Sequence, residues 1–137
     1  MTGDRQPSSA PRNDRMKDGP AKKIILIVDD QPRMLRFMEI ELRLSGFEVI
    51  TTTTGSEALD IIRSRRPDLM ILDILMPEMD GYEVLRRLRE FSELPVIAVS
   101  ASVTNSSRAL ELGANSFFTK PFRAHEIVPK INEHLQK

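Results

Sequence analysis

Along the chain, short continuous apolar runs alternate with longer stretches in which apolar residues recur every three or four positions. Ile24-Ile25-Leu26-Ile27-Val28, Leu69-Met70-Ile71-Leu72 and Val96-Ile97-Ala98-Val99 are the clearest runs, and Ser116-Phe117-Phe118-Thr119 is a weaker one. Runs of four or five, rich in Ile and Val and separated by helix-length segments, predict parallel strands buried on both faces. Strands are expected at 24–28, 48–51, 69–73, 95–100 and 116–119.

Between them the period changes to that of a helix. The first helix, 32–45, opens with Pro32 in its first turn, stops at Gly46, and repeats Leu35, Met38 and Leu42 on one face. Thr54-Gly55-Ser56-Glu57 has capping-box spacing and opens a helix to Arg65, with Ala58, Leu59 and Ile62 inward. Further helices are expected at 82–91, with Val84, Leu85 and Leu88 inward, at 105–112 and at 124–135. Five β–α units in this order predict an α/β fold with a doubly wound five-stranded parallel sheet and five helices.

Residues 1–22 break the pattern: they lack large apolar periodicity, and three of the nine prolines fall there. A disordered tail is the expectation, acting as a solubilising arm or leader, with the globular domain at 23–137. Through Lys23 this segment carries six basic and three acidic residues, +3, against −3 for the remainder. The whole chain of 137 residues has 20 basic and 20 acidic residues, so its balance argues for neither a nucleic-acid nor a membrane surface. With no Cys, disulfides, zinc-thiolate sites and thiol nucleophiles are excluded. No apolar stretch approaches a membrane span or a signal core, which makes the cytoplasm the expected location.

In a parallel sheet of this kind, ligands bind at the carboxyl ends of the strands. There the sequence places Asp29 and Asp30, Asp73, Ser100 and Lys120. Three carboxylates repel one another unless a cation relieves them, and Mg²⁺ takes one or two carboxylates together with water and phosphate oxygens. Asp30 and Asp73 could ligate it, with Asp29 completing the acidic pocket. Asp73 is the best nucleophile candidate, because a carboxylate can attack phosphorus to give an acyl phosphate. Lys120 and the Ser100 hydroxyl could neutralise and hydrogen-bond the phosphoryl oxygens. Each residue alone has a plainer reading: a helix cap for Asp29-Asp30, a turn for Asp73, a strand-end hydroxyl for Ser100, a solvated amine for Lys120. Their joint arrival at one edge, in order, carries the inference.

Ile27-Val28-Asp29-Asp30, the stretch Pro67-Asp68-Leu69-Met70-Ile71-Leu72-Asp73 through Met76-Pro77-Glu78-Met79-Asp80-Gly81, Val99-Ser100-Ala101, and Gly113-Ala114 through Phe117-Phe118-Thr119-Lys120-Pro121-Phe122 resemble the receiver domain of two-component response regulators. The resemblance covers about 23–135. It implies a flavodoxin-like sheet of order 2-1-3-4-5. It implies that Asp73 accepts a phosphoryl group from a histidine kinase, a histidine phosphotransfer protein or a small phosphodonor. Asp29, Asp30, Asp73 and the backbone carbonyl of Leu75 would hold Mg²⁺. Ser100 and Lys120 would contact the phosphoryl group, Ser100 and Phe117 would act as the switch pair, and the Lys120–Pro121 bond would be cis. The signal would leave through the face of helix four, strand five and helix five toward a downstream protein. No catalysis is implied beyond Mg²⁺-dependent self-phosphorylation and self-dephosphorylation. Phe117 read from pattern alone is a plain core aromatic.

Four features depart from that family. From Ser100 to Gly113 the chain is about two residues short of the usual spacing, and Ser102-Val103-Thr104-Asn105-Ser106-Ser107 is a poor helix former, so helix four is expected to be short or displaced. Pro129 is expected to bend or break the last helix. Leu75 offers no polar side chain to a hydrolytic water, which predicts a long-lived phosphorylated state. Because the sequence stops at Lys137, soon after the last helix, the expectation is a receiver without an attached output domain, unless the chain is a receiver cut from a larger regulator or hybrid kinase. His125 and His134 read as surface histidines, and Arg86-Arg87-Leu88-Arg89-Glu90 as a solvated helix face. A phosphohydrolase would need a second Asp where Leu75 stands, and a nucleotide site would need a glycine-rich loop after strand one. A phosphorylation-independent adaptor is the remaining alternative.

Overall fold

A computed structural model describes residues 21–136 of the chain. The expected tail therefore lies, but for two residues, outside the described residues. Five strands are present: β1 Ile24–Val28, β2 Glu48–Thr52, β3 Leu69–Asp73, β4 Val96–Ser100 and β5 Ser116–Thr119. The helices are α1 Pro32–Leu44, α2 Gly55–Arg65, α3 Gly81–Leu88, α4 Ser106–Glu111 and α5 Ala124–Leu135, and a 3₁₀ turn at Val103–Asn105 precedes α4. The strands form one parallel sheet of order β2-β1-β3-β4-β5. This is the flavodoxin-like doubly wound arrangement.

The apolar runs are continuous because both faces of the sheet are covered. Alternate residues serve opposite layers. Leu26, Val28, Met70, Leu72, Val96 and Ala98 pack with Ala58, Leu59 and Ile62 of α2, Val84, Leu85 and Leu88 of α3, and Ala109 of α4. Ile25, Ile27, Leu69, Ile71, Ile97 and Val99 pack with Leu35, Met38 and Leu42 of α1, and with Ile127 and Ile131 of α5. None of the described helices is long and apolar enough to cross a membrane.

Several local expectations need correction. Helix α3 ends at Leu88 rather than near residue 91, because Glu90 and Phe91 turn back to the carbonyls of Arg87 and Leu88. Arg89 does not lie on a solvated face. It is half-buried and donates to the carbonyls of Gly113 (2.8 Å) and Ser92 (3.1 Å), tying the end of α3 to the entry of β5. Arg86 and Arg87 are exposed as expected, and their guanidinium groups draw the Glu83 carboxyl down to about 2. His134 is not a surface residue: it is 8% exposed and hydrogen-bonds Ser116 Oγ at 2.6 Å, whereas His125 is exposed. At the start of α2 the Thr54 hydroxyl accepts the Glu57 N–H, but the Glu57 carboxylate pairs with the Thr52 hydroxyl instead of returning to Thr54.

Helix α5 runs unbroken through Pro129. A proline at the sixth helical position removes only the bond to the carbonyl of His125, an exposed residue. Ile127 and Ile131, both 0% exposed, anchor the helix on either side.

Candidate functional site: an acidic pocket closed by a lysine

Strand register assembles the site. Val28 lies opposite Leu72, so the next residues, Asp29 and Asp73, emerge side by side at the carboxyl edge. Asp73 lies opposite Val99, and Ser100 opposite Thr119, so the hydroxyl and Lys120 follow on the same edge. The backbone is stitched as the chain leaves the sheet: the N–H of Ile74 donates to the Val99 carbonyl (3.0 Å) and that of Lys120 to the Ser100 carbonyl (2.8 Å).

Oxygens of Asp29, Asp30 and Asp73 all lie within 4.8 Å of one another. Asp29 and Asp73 are buried and Asp30 is half-buried at the mouth. Lys120 Nζ is 2.7 Å from Asp29 Oδ2 and 3.3 Å from Asp73 Oδ2. The second oxygen of Asp29 accepts the Gln31 N–H at 2.9 Å, so this carboxylate orients the start of α1 as well as facing the pocket. Asp73 Oδ1 accepts the Leu75 N–H at 3.3 Å, while the Leu75 side chain is 56% exposed.

Burial raises the pKa of Asp73; the Lys120 charge opposes that rise and the nearby Asp29 adds to it. Burial also acts against the Lys120 ammonium, but its bond to Asp29 and the charges of Asp29 and Asp73 outweigh it and hold the pKa above the ordinary lysine value. Three carboxylates and one ammonium leave a formal charge of minus two. Ligands of Mg²⁺ sit about 2.1 Å from the ion, so no two are more than about 4.2 Å apart. The pocket's oxygens, within 4.8 Å of one another, lie at about that spacing, and a small inward movement or one water-bridged carboxylate would complete the fit. The donor set is all oxygen and fits a hard divalent cation.

Ser100 is 0% exposed. Its Oγ accepts the Asn105 side-chain N–H at 2.6 Å and the Ser102 N–H at 3.3 Å. Phe117 is partly buried against the α2–α3–α4 layer, and the Lys120–Pro121 peptide is cis. The loop after Asp73 returns over the sheet at Gly81, whose N–H donates to the Ile74 carbonyl at 2.8 Å. A Cβ at Gly81 would stand 2.7 Å from the Asp73 carbonyl oxygen, so only glycine allows this approach. Asn105 and Gly81 are the positions that residue-by-residue reading passes over. Gly81 stands within the motif that carries the family resemblance, but nothing local to Asn105 signals that its amide reaches Ser100.

Comparison with known proteins agrees with this geometry. The family of response regulator receiver domains matches residues 25–132. The chain is 40% identical over 118 residues to the "Probable transcriptional regulator ycf27" of Cyanophora paradoxa, covering 85% of this chain and 49% of that protein. It is 37% identical over 116 residues to the transcriptional regulatory protein KdpE of Mycobacterium tuberculosis, covering 83% of this chain and 51% of that one. It thus spans about half the length of these curated relatives. Among solved structures, a CheY-like response regulator receiver domain protein from Methanospirillum hungatei superposes with a TM-score of 0.78 at 32% identity, covering 85% of this chain and 95% of that one. The ordered acidic edge, the strand order and these matches together place the chain in the response regulator receiver domain family of two-component signalling.

Proposed function

We propose that this receiver is switched by phosphorylation of Asp73 in the presence of Mg²⁺. The observation that carries this reading is the convergence of Asp29, Asp30 and Asp73 within 4.8 Å, with Lys120 at 3.3 Å from Asp73. An Asp73 carboxylate oxygen attacks the phosphorus of a phosphohistidine on a kinase or phosphotransfer protein. The O–P bond forms as the P–N bond breaks, and the departing imidazole nitrogen takes up a proton. Asp29, Asp30 and Asp73, with the Leu75 carbonyl, would hold Mg²⁺, which would supply neutralising charge for the phosphoryl oxygens. Lys120 binds one phosphoryl oxygen and Ser100 donates its hydroxyl proton to another. Phe117 occupies the space Ser100 leaves, and the α4–β5–α5 face changes shape for a downstream protein. The domain spans residues 23–137, with 1–22 as a tail, and works in the cytoplasm.

A phosphohydrolase reading lacks its general acid, since Leu75 occupies that position. The same leucine supports a long-lived phosphorylated state; decay within seconds would contradict it. The central test is labelling with a small acyl phosphate with and without Mg²⁺. Wild type incorporates one phosphoryl group only with Mg²⁺, and Asp73→Asn incorporates none. Equal incorporation by both proteins removes Asp73 as the acceptor.

A further inference from the structure

The polar segment after β4 contains a bridge that its sequence does not announce. Asn105 closes the 3₁₀ turn and immediately precedes α4, where an asparagine would ordinarily cap the helix. Its side chain makes no cap. Instead, Nδ2 donates to Ser100 Oγ at 2.6 Å and Oδ1 accepts the Tyr82 hydroxyl proton at 3.0 Å. Tyr82 is the second residue of α3, and the Arg108 guanidinium of α4 lies 4.9 Å from its ring centroid. One amide thus joins the buried end of β4 to both helices that flank it. Tyr82 and Arg108 line a groove of about 370 Å³ between α3 and α4, together with Glu83, Arg86 and Leu112.

A hydroxyl oxygen has two acceptor lone pairs and one proton. Both described bonds of Ser100 Oγ are accepted ones, from Asn105 and from the Ser102 backbone. The Ser100 proton is therefore the group left for a phosphoryl oxygen. Bonds to a charged phosphoryl oxygen are stronger than the neutral amide–hydroxyl bond. Turning this hydroxyl toward a phosphoryl oxygen on Asp73 moves Oγ away from the Asn105 amide, and an unmodified Asp73 leaves it there.

We propose that Asn105 is a positioning residue that couples the Ser100 hydroxyl to Tyr82, so that movement of Ser100 toward a phosphoryl group on Asp73 releases Tyr82 and reshapes the α3–α4 groove. The coupling rests on the phosphoacceptor reading given above for its trigger, but not for its existence. It provides an output route through α3, on the same face of the sheet against which Phe117 packs.

Tyr82 is the single tyrosine of the chain and there is no tryptophan, so tyrosine emission reports this one position. Without any phosphodonor, Ser100→Ala and Asn105→Ala should each move the emission intensity to the same new value, with melting curves establishing that both variants fold. In wild type, acetyl phosphate with Mg²⁺ should move the emission to that value. Asn105→Ala should label on Asp73 to full stoichiometry with no further change in emission. If Asn105 merely braces Tyr82, Ser100→Ala leaves the emission unaltered, and the coupling is overturned. A full phosphorylation-dependent change retained in Asn105→Ala overturns it as well. Failure of wild type to label would remove the phosphoacceptor reading, while the two alanine variants would still decide the coupling.

Discussion

Lys120 supplies the positive charge that offsets the pocket's carboxylates, and its removal gives the sharpest test of the electrostatics. At an effective dielectric of about 20, N–O separations of 2.7 and 3.3 Å correspond to gross attractions of about 6 and 5 kcal/mol. Desolvation of the ammonium and the carboxylates cancels much of this. The net loss on deleting one partner of a buried pair is about 3–5 kcal/mol, because the other charge stays buried without compensation. Lys120→Met retains the aliphatic stem and removes only the charge. In EDTA it should lower the stability by about 3 kcal/mol, a drop of roughly 10 °C in melting temperature for a domain of this size. The pocket's formal charge then becomes minus three, so the variant should bind Mg²⁺ more tightly than wild type. A tenfold gain in affinity returns about 1.4 kcal/mol at saturating metal, and the gap between the proteins should narrow accordingly. Because its neighbours raise the Lys120 pKa, the contribution is complete below the unfolded value near about pH 10.4 and is lost as pH climbs through the folded value. Circular dichroism melts of both proteins in EDTA and in a Mg²⁺ series provide the measurement. Coincident melts in EDTA, or a gap unmoved by Mg²⁺, would refute the reasoning.

Two further tests probe the same pocket. Gly81→Ala places a Cβ 2.7 Å from both the Asp73 carbonyl oxygen and Ile74 Cα, so backbone must shift; a loss of about 1–3 kcal/mol in urea unfolding is expected, and a neutral result would show that the loop is not held against β3. Asp73→Asn removes a buried carboxyl whose pKa is raised in the fold, so ionisation of Asp73 weakens the folded state as pH rises through that value. In metal-free buffer the variant should melt higher than wild type at pH 7, with the difference closing as pH falls below about 4; a lower melting temperature at pH 7 would contradict the sign.

The helices and strands were legible because each residue's burial leaves a periodic trace in the chain. Continuous runs such as Ile24–Val28 could only be strands covered on both sides, and Leu35, Met38 and Leu42 could only be one face of a helix. The acidic edge was legible for a related reason. A strand that ends in a charged residue delivers that charge to the rim, and the parallel order sends Asp29, Asp73, Ser100 and Lys120 to the same rim. Contacts between distant segments were not legible, because they depend on side-chain direction rather than spacing. Arg89 turns back to Gly113, His134 folds inward onto Ser116, and Asn105 spans Ser100 and Tyr82. The break that Pro129 suggests is absent for a similar reason: local rules count the lost backbone bond, whereas Ile127 and Ile131 hold the helix against the sheet. The sequence by itself determined which elements form and which charges reach the carboxyl edge, since periodicity and strand polarity are local properties. Only the tertiary structure decided which polar side chains meet across that edge, since those bonds depend on where other parts of the chain have been packed.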